Sequence, residues 1–575
     1  VRRILILAAI AALLFAVPVG GVRAKAAAAP KIKLAVVVIV DQMRADYLDR
    51  FADYFGPDGF QRLTGEGRRF SQARYSHLTT FTGPGHSLVG SGLYGDKSGI
   101  VGNRWYAREL GRNVNCAYGL MDPATPGKCL EAVPAAGAAA DVPGNPCNAL
   151  GISLAQRVKK RYPAARVVGL GMKDRSAILP AGKDADAAYW IDESGDAPTL
   201  KCSEYYPACH PDVIAFNAEM ASAALFARYP EWKTWNCSLP ERCEKACPDD
   251  IADFHGEDSG LGKGFPHSVK DTTAVLGTPY GDDLLESLAE RIVASYDLGH
   301  NPAAAPDVLT IGFSSTDYFG HTFGPDSCEV ADGFKRLDAT LARLLTFLEK
   351  KIGREHLLVV LTADHGVTSM PEVSLKRGIP AGRINLGDGA SRSKGKIGDM
   401  PAIRQRMEFE LARKLSIKED GSTPLMQALI LTYQEPSLYL NREAVGEGHL
   451  AFARKALKVY LMQVEGVEAV YTSEEIATGR VPEYVKLSYM PERSGDLIIV
   501  LKRDWIDMGN TGTTHGQPWD ADSRVPLLFW GAGVSAGTSE APTDIAQIAP
   551  TLAAVLGLDG SGFSHPGALS LSIHH

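Results

Sequence analysis

Short apolar runs rich in β-branched residues punctuate the chain: Leu34–Val40, Arg166–Leu170, Asp307–Phe313, Leu357–Thr362, Asp496–Leu501 and Pro526–Trp530. A strand with one wet face alternates apolar and polar positions, whereas a strand covered on both faces does not. These runs therefore predict inner strands of a parallel sheet. Between some of them the period changes. In Phe334–Ile352 the apolar residues Phe334, Leu337, Leu341, Leu344, Leu345 and Leu348 recur at helical spacing, and Leu284–Tyr296 behaves similarly. Strands alternating with helices imply right-handed crossovers, and so an α/β fold: a doubly wound, mostly parallel central sheet flanked by helices.

Two stretches break that rhythm. Residues from about 195 to 275 are rich in Cys, Pro, Trp and Asp, with weak periodicity. Residues from about 375 to 490 mix basic loops with amphipathic helices such as Ala402–Leu415. Both read as loop-rich insertions on one catalytic domain, expected to span residues 25–575. The alanine-rich run Val133–Ala140 reads as a surface loop, and no internal repeat is found.

Composition alters this picture little. With 45% hydrophobic and 22% charged residues over 575 positions, the chain has ample core and is neither disordered nor fibrous. The formal net charge of −7 argues against a general nucleic-acid binder.

The N-terminus changes it more. Arg2 and Arg3 precede the apolar run Ile4–Val17, and Val22-Arg23-Ala24 resembles a cleavage site, so residues 1–24 read as a signal peptide. The run is too short to span a bilayer, which takes about 20 residues. Removing Arg2, Arg3 and Arg23 takes the net charge from −7 to −10. The expected product is exported, periplasmic or secreted, with no stable membrane span.

Export permits disulfides. Cys116, Cys129, Cys147, Cys202, Cys209, Cys237, Cys243 and Cys247 fall in one stretch, and Cys328 stands apart. The spacing of Cys237, Cys243 and Cys247 poorly matches paired zinc knuckles, so disulfides stapling loops are the better reading, with Cys328 either free or tied to them.

Ligands in open α/β sheets gather at the carboxyl ends of the strands. Here those ends repeat one chemical theme. The first strand runs into Asp41. Asp307–Phe313 leads to Asp317 and His321, and Leu357–Thr362 leads to Asp364 and His365. Late in the chain, a glycine-rich turn carries His515. Each residue singly reads as a helix cap, a turn or a surface group. Three Asp and three His brought to one sheet end suit zinc, with manganese or iron as alternatives. Six ligands exceed one open tetrahedral site but suit two metals acting together in phosphoryl transfer.

A nucleophile and an anion cradle accompany them. The segment from Ser76 to Ser87, containing Thr79, Thr80 and Thr82, ends a loop and opens a helix near Pro84. A threonine there suits capping and nucleophilic attack equally, because free N–H groups and the helix dipole favour an anion. Lys173 and Arg175, two apart in a segment expected to be extended, would share a face and grip phosphoryl oxygens. Asn103 could donate an amide hydrogen bond.

Together these motifs resemble the alkaline phosphatase superfamily, specifically the PafA-like phosphate-irrepressible alkaline phosphatases. The resemblance runs from about Lys33 to Gly557. It rests on Val40-Asp41-Gln42-Met43-Arg44, Thr82-Gly83-Pro84-Gly85-His86, Lys173-Asp174-Arg175 through Gly182, Ser315-Thr316-Asp317 with Gly320-His321, Ala363-Asp364-His365-Gly366, and Thr514-His515-Gly516. It implies an alkaline-phosphatase-like fold and two Zn2+ per chain. Asp41, Asp364 and His365 would hold one zinc, to which Thr82 also binds, and Asp317, His321 and His515 the other. Thr82 would be the nucleophile, while Asn103, Lys173 and Arg175 would bind the non-bridging oxygens.

The activity so implied is hydrolysis of small phosphate monoesters through a phosphothreonine intermediate, releasing inorganic phosphate, by a monomer. Two alternatives stand beside it: a phosphodiesterase or nucleotide pyrophosphatase of the same superfamily, and a non-catalytic periplasmic protein that binds metal or phosphate.

Overall fold

Five of the six apolar runs enter one nine-stranded sheet in a computed structural model of the protein. The structure describes residues 32–122, 124–125, 127–130, 142–193, 198–207, 209–221, 228–234, 251–256, 260–387, 402–415 and 428–572. The expected signal segment, the run Val133–Ala140, Cys237, Cys243 and Cys247 lie outside the described residues. No described helix is long and apolar enough to cross a membrane.

At the centre of the sheet, Leu357–Thr362, Leu34–Val40, Asp307–Phe313, Val167–Gly171 and Ala187–Asp192 lie side by side and parallel. Leu34–Val40 is buried along its whole length, as its unbroken apolar run requires. The strands flanking this parallel core run antiparallel to it, so the sheet is mixed. Leu527–Gly531 pairs antiparallel with Leu357–Thr362, and Thr199–Cys202 with Ala187–Asp192. The first insertion thus supplies an edge strand as well as loops. Helices Pro279–Ser295 and Cys328–Ile352 flank the sheet and start earlier than their apolar periodicity alone indicates. In the second, Ser327 caps the added turn by accepting a hydrogen bond from the Val330 N–H.

The sixth run departs from expectation. Leu497–Leu501 belongs to a separate four-stranded antiparallel sheet, with Ile430–Gln434, Ser437–Leu440 and Val467–Thr472. The reason is physical. Leu497, Ile499 and Leu501 pack into one apolar cluster, while Ile498 and Val500 pack into another with Leu78 and Val485. Both faces are covered, so this strand shows the same unbroken pattern as a parallel one. The small sheet abuts the site through Gln517. Its side-chain oxygen accepts from Leu501 N–H, and its backbone oxygen accepts from the Thr80 hydroxyl.

Two disulfides, Cys129–Cys147 and Cys202–Cys209, staple loops as expected. Cys328 is disulfide-bonded, and among the described residues the free cysteine is Cys116.

Candidate active site

Four neighbouring parallel strands deliver the site at their carboxyl ends. In sheet order, Leu357–Thr362 leads to Asp364 and His365, and Leu34–Val40 to Asp41. Asp307–Phe313 leads to Asp317 and His321, and Val167–Gly171 to Lys173 and Arg175. Asp317 and His321 sit one turn apart on the helix Ser315–Phe323, so both face the same side. His515 comes from a loop far along the chain and reaches the same place.

The histidines are pre-set as ligands. Nδ1 of His321 lies 2.7 Å from the carbonyl oxygen of Thr513, Nδ1 of His515 lies 2.7 Å from that of Thr80, and Nδ1 of His365 lies 2.8 Å from that of Gly366. A carbonyl can only accept, so each Nδ1 carries a proton, which leaves Nε2 as the ring's available ligand atom. Those nitrogens face carboxylates: His321 Nε2 is 3.1 Å and His515 Nε2 3.7 Å from Asp317 Oδ1, and His365 Nε2 is 3.3 Å from Asp41 Oδ1. A ring nitrogen facing a carboxylate oxygen calls for a cation, proton or metal, between them.

Two groups of donors converge closely enough to share an ion: Asp317, His321 and His515, and Asp41, Asp317 and His365. Asp364 stands just outside the second group, its Oδ2 3.4 Å from His365 Nε2. Asp41 Oδ1 and His365 Nε2 are buried without a hydrogen-bond partner. Orphaned buried donors of oxygen and imidazole type, with no thiolate, fit zinc.

The electrostatics are strongly coupled. Burial and neighbouring Asp317 push the Asp41 carboxyl up, but Lys173 and His365 outweigh them and hold it below the usual range. Burial opposes the charge of His365, yet Asp364 and Asp41 raise it to about 9. Lys173 Nζ lies 2.7 Å from Asp41 Oδ2 and 2.5 Å from Asp317 Oδ2, and 5.2 Å from the centroid of the Tyr318 ring.

Thr82 begins the helix Thr82–Ser91, with Phe81 at the N-cap. The capping reading of Thr82 is therefore corrected: it is the first helical residue, at the end of the helix where free N–H groups favour an anion. The turn Gly83-Pro84-Gly85 packs against the backbone that carries Asp364, because a Cβ on Gly85 would lie 2.3 Å from the Asp364 carbonyl oxygen. Asn103 Oδ1 accepts from the Gly83 N–H at 2.6 Å, which leaves its NH₂ group to donate.

The expected extended spacing of Lys173 and Arg175 is also corrected. Lys173 is the N-cap of the helix Asp174–Ala181, and Arg175 lies within its first turn. Arg175 Nη1 lies 3.7 Å from Asp174 Oδ1, and against the opposing effect of burial Asp174, Cys116 and Asp41 raise its pKa.

Three residues escaped the sequence reading. Gln42, held at φ 64°, donates Nε2–H to Asp317 Oδ1 at 2.7 Å and its backbone N–H to Asp364 Oδ1 at 3.1 Å. A non-glycine residue in that region stores strain, often at a functional site. His86 and Asp282 support the site from beneath. Gln42 and His86 lie inside quoted motifs, but nothing in their spacing announces these contacts.

A family profile described as type I phosphodiesterase / nucleotide pyrophosphatase matches residues 35–523. The chain belongs to that family. It lies within the alkaline phosphatase superfamily. Alkaline phosphatase PafA of Elizabethkingia meningoseptica is 30% identical over 550 residues, covering 92% of this chain and 93% of that one. A protein of Myroides odoratus named calcium-transporting ATPase is also 30% identical, over 554 residues covering 92% of each chain. The crystal structure of wild-type PafA aligns with a TM-score of 0.76 at 27% identity, covering 92% of this chain and 97% of that one. This family member shares the PafA architecture, and the family and relatives' names support a hydrolase of phosphoric esters.

Proposed function

We propose that the protein is a zinc-dependent phosphomonoesterase of the alkaline phosphatase type, working through a phosphothreonine on Thr82. The carrying observation is that the three backbone-locked histidines turn Nε2 toward Asp41 and Asp317. Asp317, His321 and His515 would hold one zinc, and Asp41, Asp364 and His365 the other. When bound, the two ions would lower the pKa of the Thr82 hydroxyl and neutralise charge on the leaving oxygen.

The chain's own residues do the rest. Thr82 Oγ1 attacks phosphorus, the phosphorus–ester oxygen bond breaks, and phosphothreonine remains. Asn103, with its amide oxygen held by Gly83, donates to one non-bridging oxygen. Lys173 and Arg175 balance charge on the others and are the largest side-chain contribution to that stabilisation. Water then cleaves the phosphothreonine, releasing inorganic phosphate and restoring the Thr82 hydroxyl.

The same family description favours a second reading, a diesterase. Two cations beside one threonine match a dianionic monoester better than a singly charged diester. A transporter reading lacks a comparable anchor, since no described helix is long and apolar enough to cross a membrane. The disulfides support export to an oxidising compartment. The edge strand Thr199–Cys202 and the Gln517 contacts support one catalytic unit over residues 25–575.

Turnover of an aryl phosphate, its bis-aryl ester and an aryl sulfate, with zinc content measured in wild type and Thr82→Ala, tests the proposal. The monoester should react fastest, and Thr82→Ala should keep its zinc while losing turnover by orders of magnitude. A diester preference would replace the activity assigned. A Thr82→Ala protein as fast as wild type would remove the nucleophile.

A further inference from the structure

His86 is wholly buried on the second turn of the helix that Thr82 begins. Its Nδ1 lies 2.9 Å from the carbonyl oxygen of Thr82 and 3.2 Å from Asp364 Oδ2. Both neighbours are acceptors, so Nδ1 must carry the proton. That N–H points to the Thr82 carbonyl, and the carboxylate oxygen lies close enough to feel its dipole.

The other ring nitrogen has no partner. Nε2 is buried, and a Cβ placed on Gly312 would lie 3.2 Å from it and 2.8 Å from Ser176 Cβ. Gly312 therefore gives the ring its room. Nε2 makes no hydrogen bond, so the ring acts through its Nδ1 side.

The Asp364 carboxylate is held by hydrogen bonds at Oδ1, while Oδ2 is buried without one and has the His86 ring as a close neighbour. Oδ1 accepts from the backbone N–H groups of Gln42 at 3.1 Å and His365 at 2.9 Å, and Oδ2 faces His86. One histidine joins a carboxylate carried by the central sheet to the first helical residue, 282 positions away in sequence from Asp364.

We propose that His86 is a positioning residue that holds Asp364 in register with the Thr82 turn, so that ligand and nucleophile keep a fixed separation. Its role would be to aim Asp364 Oδ2 at the zinc site while anchoring the Thr82 backbone. It touches neither substrate nor metal. The inference rests on Asp364 being a ligand, as the proposed function has it.

The test compares His86→Asn, which keeps a side-chain N–H near the Nδ1 position, with His86→Gln, which moves it toward the Nε2 position. Zinc affinity is read by competition with a chromophoric chelator, alongside kcat and KM for an aryl phosphate and the unfolding midpoint. His86→Gln should bind zinc at the Asp364 site about 10–100-fold less tightly, the usual cost of losing a group that orients a ligand. kcat should fall more than KM changes, and His86→Asn should recover most of both.

Equal zinc affinity in wild type and His86→Gln would overturn the proposal, as would equal losses in the two variants. Should His86→Gln not fold, a His86→Asn protein with wild-type unfolding but tenfold weaker zinc would also overturn it. Failure of wild type itself to bind zinc would instead sink the metal reading beneath it.

Discussion

Replacing Asp282 by asparagine should make the protein less sensitive to alkali. Asp282 is buried on the helix Pro279–Ser295, where its Oδ1 accepts the Ser315 N–H at 3.2 Å and its Oδ2 has no partner. Ser315 opens the helix that carries Asp317 and His321. Burial raises the Asp282 carboxyl to about 8, against the smaller opposing pull of the Ser315 N–H. Because the folded pKa lies above the unfolded one, the folded state keeps a proton that the unfolded state gives up. Stability from this group is therefore full in acid and is lost as pH rises through about 8. A shift from 3.8 to about 8 corresponds to on the order of 5 kcal/mol, of which about 4 kcal/mol falls between pH 5 and pH 9. Asparagine keeps the acceptor for Ser315 and cannot ionise. Urea unfolding of both proteins across that range should show the variant's advantage growing by roughly 2–4 kcal/mol toward alkaline pH. Any pH dependence of zinc binding is common to both proteins and cancels in the difference. A variant-minus-wild-type difference that stays flat with pH would refute the reasoning.

Further outcomes follow from the same geometry. Gly85→Ala would place a Cβ 2.3 Å from the Asp364 carbonyl oxygen, driving the Thr82 helix off the loop. About 1–3 kcal/mol of stability should be lost, with zinc content falling alongside, as thermal unfolding and metal analysis would show. Replacing Cys129 and Cys147 together by serine opens a loop of 18 residues and should cost about 3 kcal/mol in urea unfolding. Because neither is among the proposed ligands or substrate-binding residues, kcat should hardly move. A large fall in kcat would mean that this loop shapes the site.

How far the site could be read from sequence follows from which contacts are local. The placement of Asp41, Asp317, Asp364 and His365 was readable because strand ends in a parallel sheet must converge, and the apolar runs marked those ends. His321 followed from Asp317 by one helical turn. Arg175 was placed on a shared face by the wrong geometry. Period-two reasoning assumes an extended chain, whereas a helix begins at Asp174 and carries Arg175 in its first turn. Leu497–Leu501 was assigned to the wrong sheet because burial on both faces leaves the same pattern in either architecture. Gln42 and His86 were missed for a different reason. Gln42 hydrogen-bonds to carboxylates hundreds of positions away and His86 closely approaches one, and neither contact leaves a periodic trace. Cys328, open between free and tied on sequence, is disulfide-bonded, while Cys116, expected among the pairing cysteines, is free, since pairing depends on Cα separation in space and not along the chain.

The charge of the site sharpens what its chemistry requires. A net charge of −7 over the chain says nothing about a local anion site, but the named groups do. Asp41, Asp317 and Asp364 are three carboxylates, and Lys173 and Arg175 supply two positive charges. Ligating a metal requires neutral rings, His365 included although Asp364 and Asp41 raise it to about 9, and with the histidines neutral the cluster carries one net negative charge. Lys173 is meanwhile drawn onto Asp41 and Asp317, away from any incoming anion. A phosphoryl dianion would be repelled by such a cluster, and burial would magnify the repulsion. Two divalent cations reverse the sign, satisfy the orphaned Asp41 Oδ1 and His365 Nε2, and leave Lys173 and Arg175 available for substrate oxygens. The residues that would bind phosphate and those that would bind metal are therefore interdependent. A Lys173→Ala change should act on both, whereas Arg175→Ala, whose nearest carboxylate is Asp174, should act chiefly on substrate. Measuring zinc affinity and kcat/KM for the pair separates the two roles. If Arg175→Ala lost zinc as readily as Lys173→Ala, this division of labour would be wrong.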